Sequence, residues 1–368
     1  MAELTGRRVT EVLATSTGGV GTHLRSVLPA LLAAGADVRV CGPRATEELF
    51  GFTATGADFG EVGISAGLAP VADLRAVRAL RRAAAGSDLV HAHGLRAGLV
   101  AALAGRLGAR RPLVLTLHNA APPGGGLRRR VLDAAERATV RAADVVLAAS
   151  ADLAANATRL GARDVRPAPV SAPPLPPATR TPEQVRAELG LDDARPLVLA
   201  VGRLHPQKGY DVLLDAVAAG VAGDPLVAVA GDGPLHDALA ARLTAEALPV
   251  TLLGRRTDVA DLLAAADVVV LPSVWEARSL TAQETLRAGV PLVATAVGGV
   301  PELVGDAAVL VPAGDAVALA AALGGLLTDP ARRAELAAAG PRQAAGWPDE
   351  AATAAQLVAV YTELLARR

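Results

Sequence analysis

Asp267-Val268-Val269-Val270-Leu271-Pro272-Ser273-Val274-Trp275-Glu276-Ala277-Arg278-Ser279-Leu280-Thr281-Ala282-Gln283-Glu284 reads as a buried strand, a turn and a helix. The run Asp267–Leu271 is short and Val-rich, as strands covered on both faces are. Glu276 stands in the turn and Glu284 lies eight positions on, in the helix. A Gly-rich stretch, Ala288-Gly289-Val290-Pro291 through Gly298-Gly299-Val300-Pro301-Glu302, follows. In an open α/β sheet, ligands bind at the carboxyl ends of strands. Two carboxylates placed there can accept hydrogen bonds from sugar and ribose hydroxyls.

The same unit recurs along the chain. Candidate strands are 8–14, 37–41, 88–91, 112–117, 144–148, 196–201, 226–230, 249–253, 267–271, 291–294 and 308–311. Helical patterns fall between them, among them 22–34, 70–85, 128–141, 211–218 and 234–247. Alternation of this kind predicts α/β architecture with doubly wound parallel sheets. Seven prolines between Arg166 and Pro182 interrupt it. Proline neither pairs in a central strand nor continues a helix, so this segment reads as a stiff linker. Four parts follow: a Rossmann-like domain over 1–170, a Pro-rich hinge over 171–182, a second Rossmann-like domain over 183–346, and a C-terminal helix over 347–368 that packs back on the first domain. The two domains are expected to face one another across a cleft.

Composition narrows the function. The chain has 368 residues with 36 basic and 37 acidic side chains, a net charge of −1, which gives no general attraction to nucleic acid. Aromatics make up 2%, too few for an aromatic binding platform. The single cysteine, Cys41, excludes an internal disulfide and a Cys-based zinc cluster. No signal peptide or spanning segment is legible, so a cytoplasmic protein is expected. Basic residues on Asp73–Arg82 and Arg128–Val131 would permit weak association with the inner membrane face.

Several strand ends carry candidate chemistry. Thr15-Ser16-Thr17-Gly18-Gly19-Val20-Gly21 precedes a helix whose free N–H groups could meet an anion. The pattern is not a complete G-x-G-x-x-G, and the acidic residue of a dinucleotide site is missing. Val201-Gly202-Arg203-Leu204-His205-Pro206-Gln207-Lys208-Gly209 places two cations where a diphosphate could be neutralised. Gly231-Asp232-Gly233-Pro234 forms another strand-to-helix junction, with Pro234 suited to the first helical turn. No Asp-x-Asp occurs in the chain. His91 and His93 could bind a metal, but no further ligand is evident, and no metal is assigned. His118 follows a strand and reads equally well as structural or as ligand-facing.

In this order, these motifs resemble the family 4 glycosyltransferases, retaining enzymes of the GT-B fold. The resemblance spans about Val9 to Arg332. It implies a nucleotide-diphosphate sugar, UDP- or GDP-linked, as donor substrate, with no tightly bound cofactor and no metal. The implied acceptor is a small molecule or a lipid-linked one. Gly18 and Gly19 match the glycine turn near the donor phosphate, and His118 matches the histidine at the donor sugar. Arg203 and Lys208 match the diphosphate-binding pair beside Gly202. Gly231 and Gly233 fall in the neighbouring turn, and Arg255 in the loop beside the base. Glu276 matches the glutamate by the transferred sugar, and Glu284 the one on the ribose. Glu276, His118, Arg203 and Lys208 are the implied catalytic set. The family commonly has Glu-Gly-Phe-Gly-Leu where this chain has Glu276-Ala277-Arg278-Ser279-Leu280, the loop whose backbone touches the donor sugar. Arg278 is expected to point to solvent, the alternative being that it reads an anionic group. Other readings are a catalytically silent nucleotide-sugar binder and a GT-B nucleotide-sugar epimerase.

Overall fold

A computed structural model describes all residues except 1–2, 66, 68, 109, 121–125, 192–194 and 368, and the side chains of 127 and 128 are also left aside. Two compact units divide the chain. One comprises Met1–Ser171 with Pro348–Arg368, and the other Ala172–Trp347.

Among the described residues, the first unit contains seven parallel strands: β1 (Arg8–Leu13), β2 (Asp37–Gly42), β3 (Asp58–Glu61), β4 (Leu89–His93), β5 (Leu113–Leu117), β6 (Val145–Ala148) and β7 (Val165–Pro167). Their order is β3-β2-β1-β4-β5-β6-β7. The direction of winding reverses between β1 and β4, the position at which such sheets bind ligands. β4 and β5 are buried at every residue, as strands covered on both faces must be. The helix Glu350–Ala366 belongs to this unit, and Leu357, Val360, Tyr361 and Leu364 join the core around Val9, Leu28 and Val114. Cys41 is fully buried, and burial pushes its thiol up to about 12.

The second unit contains β8 (Leu197–Val201), β9 (Leu226–Ala230), β10 (Val250–Gly254), β11 (Val268–Leu271), β12 (Leu292–Thr295) and β13 (Val309–Val311). They run parallel in the order β10-β9-β8-β11-β12-β13, so winding reverses between β8 and β11. Successive side chains alternate between faces. Leu197, Leu199, Val269 and Leu271 enter one core, and Val198, Ala200, Val268 and Val270 the other.

Three sequence readings need correction. Arg166 and Pro167 are not linker but part of β7, paired with β6. Proline is tolerated there because an edge strand needs donors on one side only. The first helix begins at Gly19 rather than Thr22. Pro234 lies in a turn, two residues before the helix His236–Glu246, not in its first turn. The segment after Ser171 is tied to the second unit: Ala172 N–H donates to Gln283 Oε1 at 2.9 Å, and Thr179 N–H to Asp261 Oδ1 at 2.6 Å.

Candidate active site

In the second unit the loops leaving β8 and β11 meet. Lys208 Nζ lies 2.6 Å from Glu276 Oε1, and the same oxygen accepts from Ser273 Oγ at 2.8 Å. Glu276 is 7% exposed, so a charge-assisted bond there is little screened. Hydrogen bonds to backbone carbonyls lock the two loops together. Val274 N–H donates to Gln207 O at 2.8 Å, and Gln207 Nε2 donates to Trp275 O at 2.9 Å.

Glycines permit this close approach. A Cβ on Gly231 would overlap the Gly202 carbonyl, and one on Gly209 the Pro272 carbonyl. Gly298 has φ +51°, and a Cβ there would overlap the Glu276 carbonyl, the group that accepts from Gly299 N–H at 2.9 Å. Gly298→Ala is therefore expected to cost about 3 kcal/mol or more. Gly314→Ala, at φ +76° with nothing within 4 Å, should cost about 1 kcal/mol. Urea unfolding of the two variants checks the difference.

Arg203 is exposed on the loop after β8. Burial lowers the His205 imidazole, and the charges of Arg203 and Lys208 add to that effect, so both cations lie around this loop. Gly233 closes on the same loop, where a Cβ would meet the Leu204 carbonyl at 2.5 Å. Arg255 is exposed after β10, while its neighbour Arg256 is held by Glu188 and Asp258.

Ser279 caps the helix Leu280–Arg287 by accepting from Ala282 N–H at 3.2 Å. Ala277 is buried and Leu280 half-buried. Glu284 stands one turn into that helix, and its carboxylate has no hydrogen bond among the described residues. Burial pushes it up to about 7, against the Arg287 charge. An unpaired, partly desolvated carboxylate gains from hydroxyl donors.

Arg278 does not point to solvent. Its guanidinium lies 5.8 Å from the Trp347 ring centroid, as does that of Arg287, and its buried Nε has no partner. Burial lowers its pKa, opposed by Glu302. The partner aromatic stands 69 positions further along the chain, beyond any local sequence signal.

In the first unit, Gly18 caps the helix Gly19–Ala33. A Cβ on Gly21 would overlap the Phe50 ring. At the ends of β4 and β5, His93 Nδ1 lies 3.2 Å from His118 Nε2, and His93 Nε2 lies 2.8 Å from Glu11 Oε2. Tyr361 Oη donates to Glu11 Oε1 at 2.7 Å. His91 bonds Tyr361 Oη at 2.5 Å and Thr116 Oγ1 at 2.7 Å. His23 completes the group, its ring edge-on to His118 at 5.4 Å. Sequence reasoning missed Glu11, His23 and Tyr361. The available signal was a carboxylate inside the apolar strand Val9–Leu13, which burial alone would forbid. The donor atoms of His23, His93 and His118 lie within 4.8 Å of one another, although both nitrogens of His93 already take part in hydrogen bonds.

Comparison with known proteins decides what these two sheets belong to. Residues 18–173 match the family described as "Glycosyl transferase 4-like domain", and residues 195–329 match "Glycosyl transferases group 1". A D-inositol 3-phosphate glycosyltransferase from Xylanimonas cellulosilytica is 36% identical over 323 residues, covering 76% of this chain and 73% of the relative. This chain is a family 4 glycosyltransferase. A 2-deoxystreptamine N-acetyl-D-glucosaminyltransferase from Streptomyces fradiae is 34% identical, over 68% of this chain and 65% of that protein. The GT-B fold is shared with sucrose-phosphate synthase from Thermosynechococcus elongatus, with TM-score 0.81, 23% identity, and coverage of 98% and 100% of the two chains. HepE of Anabaena, solved in complex with UDP-glucose, gives TM-score 0.80 at 23% identity over 97% and 99%. Among the described residues, no helix of this glycosyltransferase is long and apolar enough to cross a membrane.

Proposed function

We propose that this glycosyltransferase moves a sugar from a UDP- or GDP-sugar to a hydroxyl acceptor with retention of anomeric configuration and without a metal ion. The observation that carries the reading is the Lys208–Glu276 contact at the β8/β11 reversal. Lys208 and Arg203 act on the diphosphate, Glu284 accepts from the ribose hydroxyls, and Glu276 positions the transferred sugar. Gly18 and Gly19 offer a helix terminus to phosphate, and His118 faces the donor sugar. The ligand bound in the HepE structure supports UDP-glucose-type donors.

As the bond from the anomeric carbon to phosphate oxygen breaks, negative charge collects on the leaving diphosphate. The Lys208 ammonium and the Arg203 guanidinium stabilise it, the part that a divalent ion plays where an Asp-x-Asp pair holds one. The acceptor oxygen bonds to the anomeric carbon on the same face, and its proton passes to the departing phosphate oxygen. No protein nucleophile is needed. Glu276 holds Lys208 and Ser273 on Oε1, which fits the positioning role given to it. The named substrates of the two curated relatives, D-inositol 3-phosphate and 2-deoxystreptamine, favour a cyclitol acceptor. Exposed Arg75, Arg78, Arg81 and Arg82 would allow weak attraction to anionic lipid.

The test is proton NMR of the product formed from an α-linked UDP-sugar and a cyclitol panel in EDTA. An α-linked product with equimolar UDP is expected, and a β-linked product or a strict metal requirement would contradict the mechanism. Glu284 adds a pH dependence. Ribose hydroxyls favour its ionised form, so nucleotide affinity should weaken as pH falls below about 7, by up to about tenfold per unit. Titrations at several pH values should show this component in the wild type and not in Glu284→Gln.

A further inference from the structure

Behind His118 runs a chain of hydrogen bonds with a fixed direction. Tyr361 Oη donates to Glu11 Oε1, Glu11 Oε2 meets His93 Nε2, and His93 Nδ1 meets His118 Nε2. All four residues are buried. Burial opposes ionisation of Glu11, but the charge of His91 and the hydrogen bonds from His91 and His93 outweigh it and hold Glu11 well below the usual carboxylate range. A carboxylate only accepts, so His93 Nε2 carries a proton. Burial lowers His93 to about 4, which makes it neutral near pH 7 with a bare Nδ1. That bare nitrogen accepts, so the proton between the two rings sits on His118 Nε2. Burial also keeps His118 neutral, with smaller contributions from His23 and His93. Its Nδ1 is therefore bare, and it has no partner among the described residues.

We propose that Glu11 and His93, braced by Tyr361, are positioning residues that fix His118 as the Nε2–H tautomer and present its Nδ1 as an acceptor for one substrate hydroxyl. The identity of that hydroxyl rests on the reading above, in which His118 faces the donor sugar. The tautomer itself rests on the hydrogen bonds and on the burial that keeps both imidazoles neutral. A carboxylate orients an imidazole in the same way in hydrolytic triads. Here a second imidazole stands between the carboxylate and the working ring, so the chain transmits hydrogen-bond polarity and not charge.

The polarity can be reversed by one atom. In Glu11→Gln the amide oxygen still accepts from Tyr361, and the amide N–H₂ now faces His93 Nε2. His93 must then carry its proton on Nδ1 and donate to His118 Nε2, which moves the His118 proton to Nδ1. The acceptor becomes a donor without loss of volume.

The experiment uses the full chain labelled with ¹⁵N-histidine, which has six histidines to assign. Long-range ¹H–¹⁵N correlations should show His118 as the Nε2–H tautomer in the wild type and as Nδ1–H in Glu11→Gln. With a series of singly deoxygenated donors, the wild type should discriminate against one of them by about 10- to 100-fold in kcat/KM. Glu11→Gln should lose that discrimination, whereas a purely structural role would lower all donors alike. An Nδ1–H or doubly protonated His118 in the wild type overturns the proposal, even if the variant fails to fold. An unchanged tautomer in a folded Glu11→Gln overturns it too. If no donor is turned over while the tautomers behave as stated, the donor reading fails and the relay stands.

Discussion

Lys208→Ala is expected to remove glycosyl transfer while the chain still folds. The ammonium is the half-buried cation 2.6 Å from Glu276 Oε1, at the carboxyl end of β8. Charge builds on the leaving diphosphate only as the glycosidic bond breaks, so a fixed cation there stabilises the transition state more than the bound donor. Removing one preorganised partner of this kind typically costs about 10²- to 10³-fold in kcat. The fold loses less. Glu276 keeps Ser273 as a donor, and one lost hydrogen bond to a partly buried carboxylate costs about 1–3 kcal/mol. Glu276→Ala is expected to behave alike, because it removes the group that orients the sugar. Initial rates of nucleotide release, with circular dichroism as the fold control, check both variants. Full activity in both would overturn these assignments.

The first unit is expected to lose stability steeply in mild acid. His23 and His93 are lowered by burial to about 3 and about 4, and His118 lies well below the usual range. In the unfolded chain each would take a proton near pH 6.5. Between that pH and the folded values the unfolded state binds more protons, so stability falls as pH falls. Each histidine contributes about 1.4 kcal/mol per pH unit, and three contribute about 4 kcal/mol per unit. Glu11 acts lower. Its depressed carboxyl adds stability above about pH 4.5, which is lost only as pH falls further. Domains of this size are stable by roughly 5–15 kcal/mol, so the unit should unfold at or just below pH 5. Urea unfolding at pH 7.5, 6.5 and 5.5 measures the slope, and His23→Gln should reduce it by about a third. A stability that does not change over this range would contradict the buried neutral cluster.

Both sheets were legible in the sequence because parallel strands covered on two faces become short Val/Leu runs. Eleven strands follow from that signal. β3, Asp-Phe-Gly-Glu, and β7, Val-Arg-Pro, do not. Both are edge strands, and an edge needs neither continuous apolar character nor a full set of N–H donors. The start of the first helix at Gly19 was hidden because glycine is a poor helix former and both Gly19 and Gly21 lie in its first turn.

The candidate site was legible as residue types at strand ends, not as contacts. Lys208 and Glu276 are 68 positions apart, and only the β8–β11 pairing brings their loops together. Arg278 read as solvated because nothing near it in sequence announces Trp347. The hydrogen-bonded group behind His118 draws on β1, β4, β5 and the last helix, four elements spread over 350 positions. Its one local sign, Glu11 within an apolar strand, shows that a partner must exist without saying which.

Calorimetric titration of UDP and GDP into the full chain in EDTA tests the central claim most directly. The account predicts saturable binding of at least one of them at a single site, weakened at least tenfold in Lys208→Ala and in Glu284→Ala. Absence of binding by both nucleotides, or binding equal in the wild type and the two variants, would contradict it.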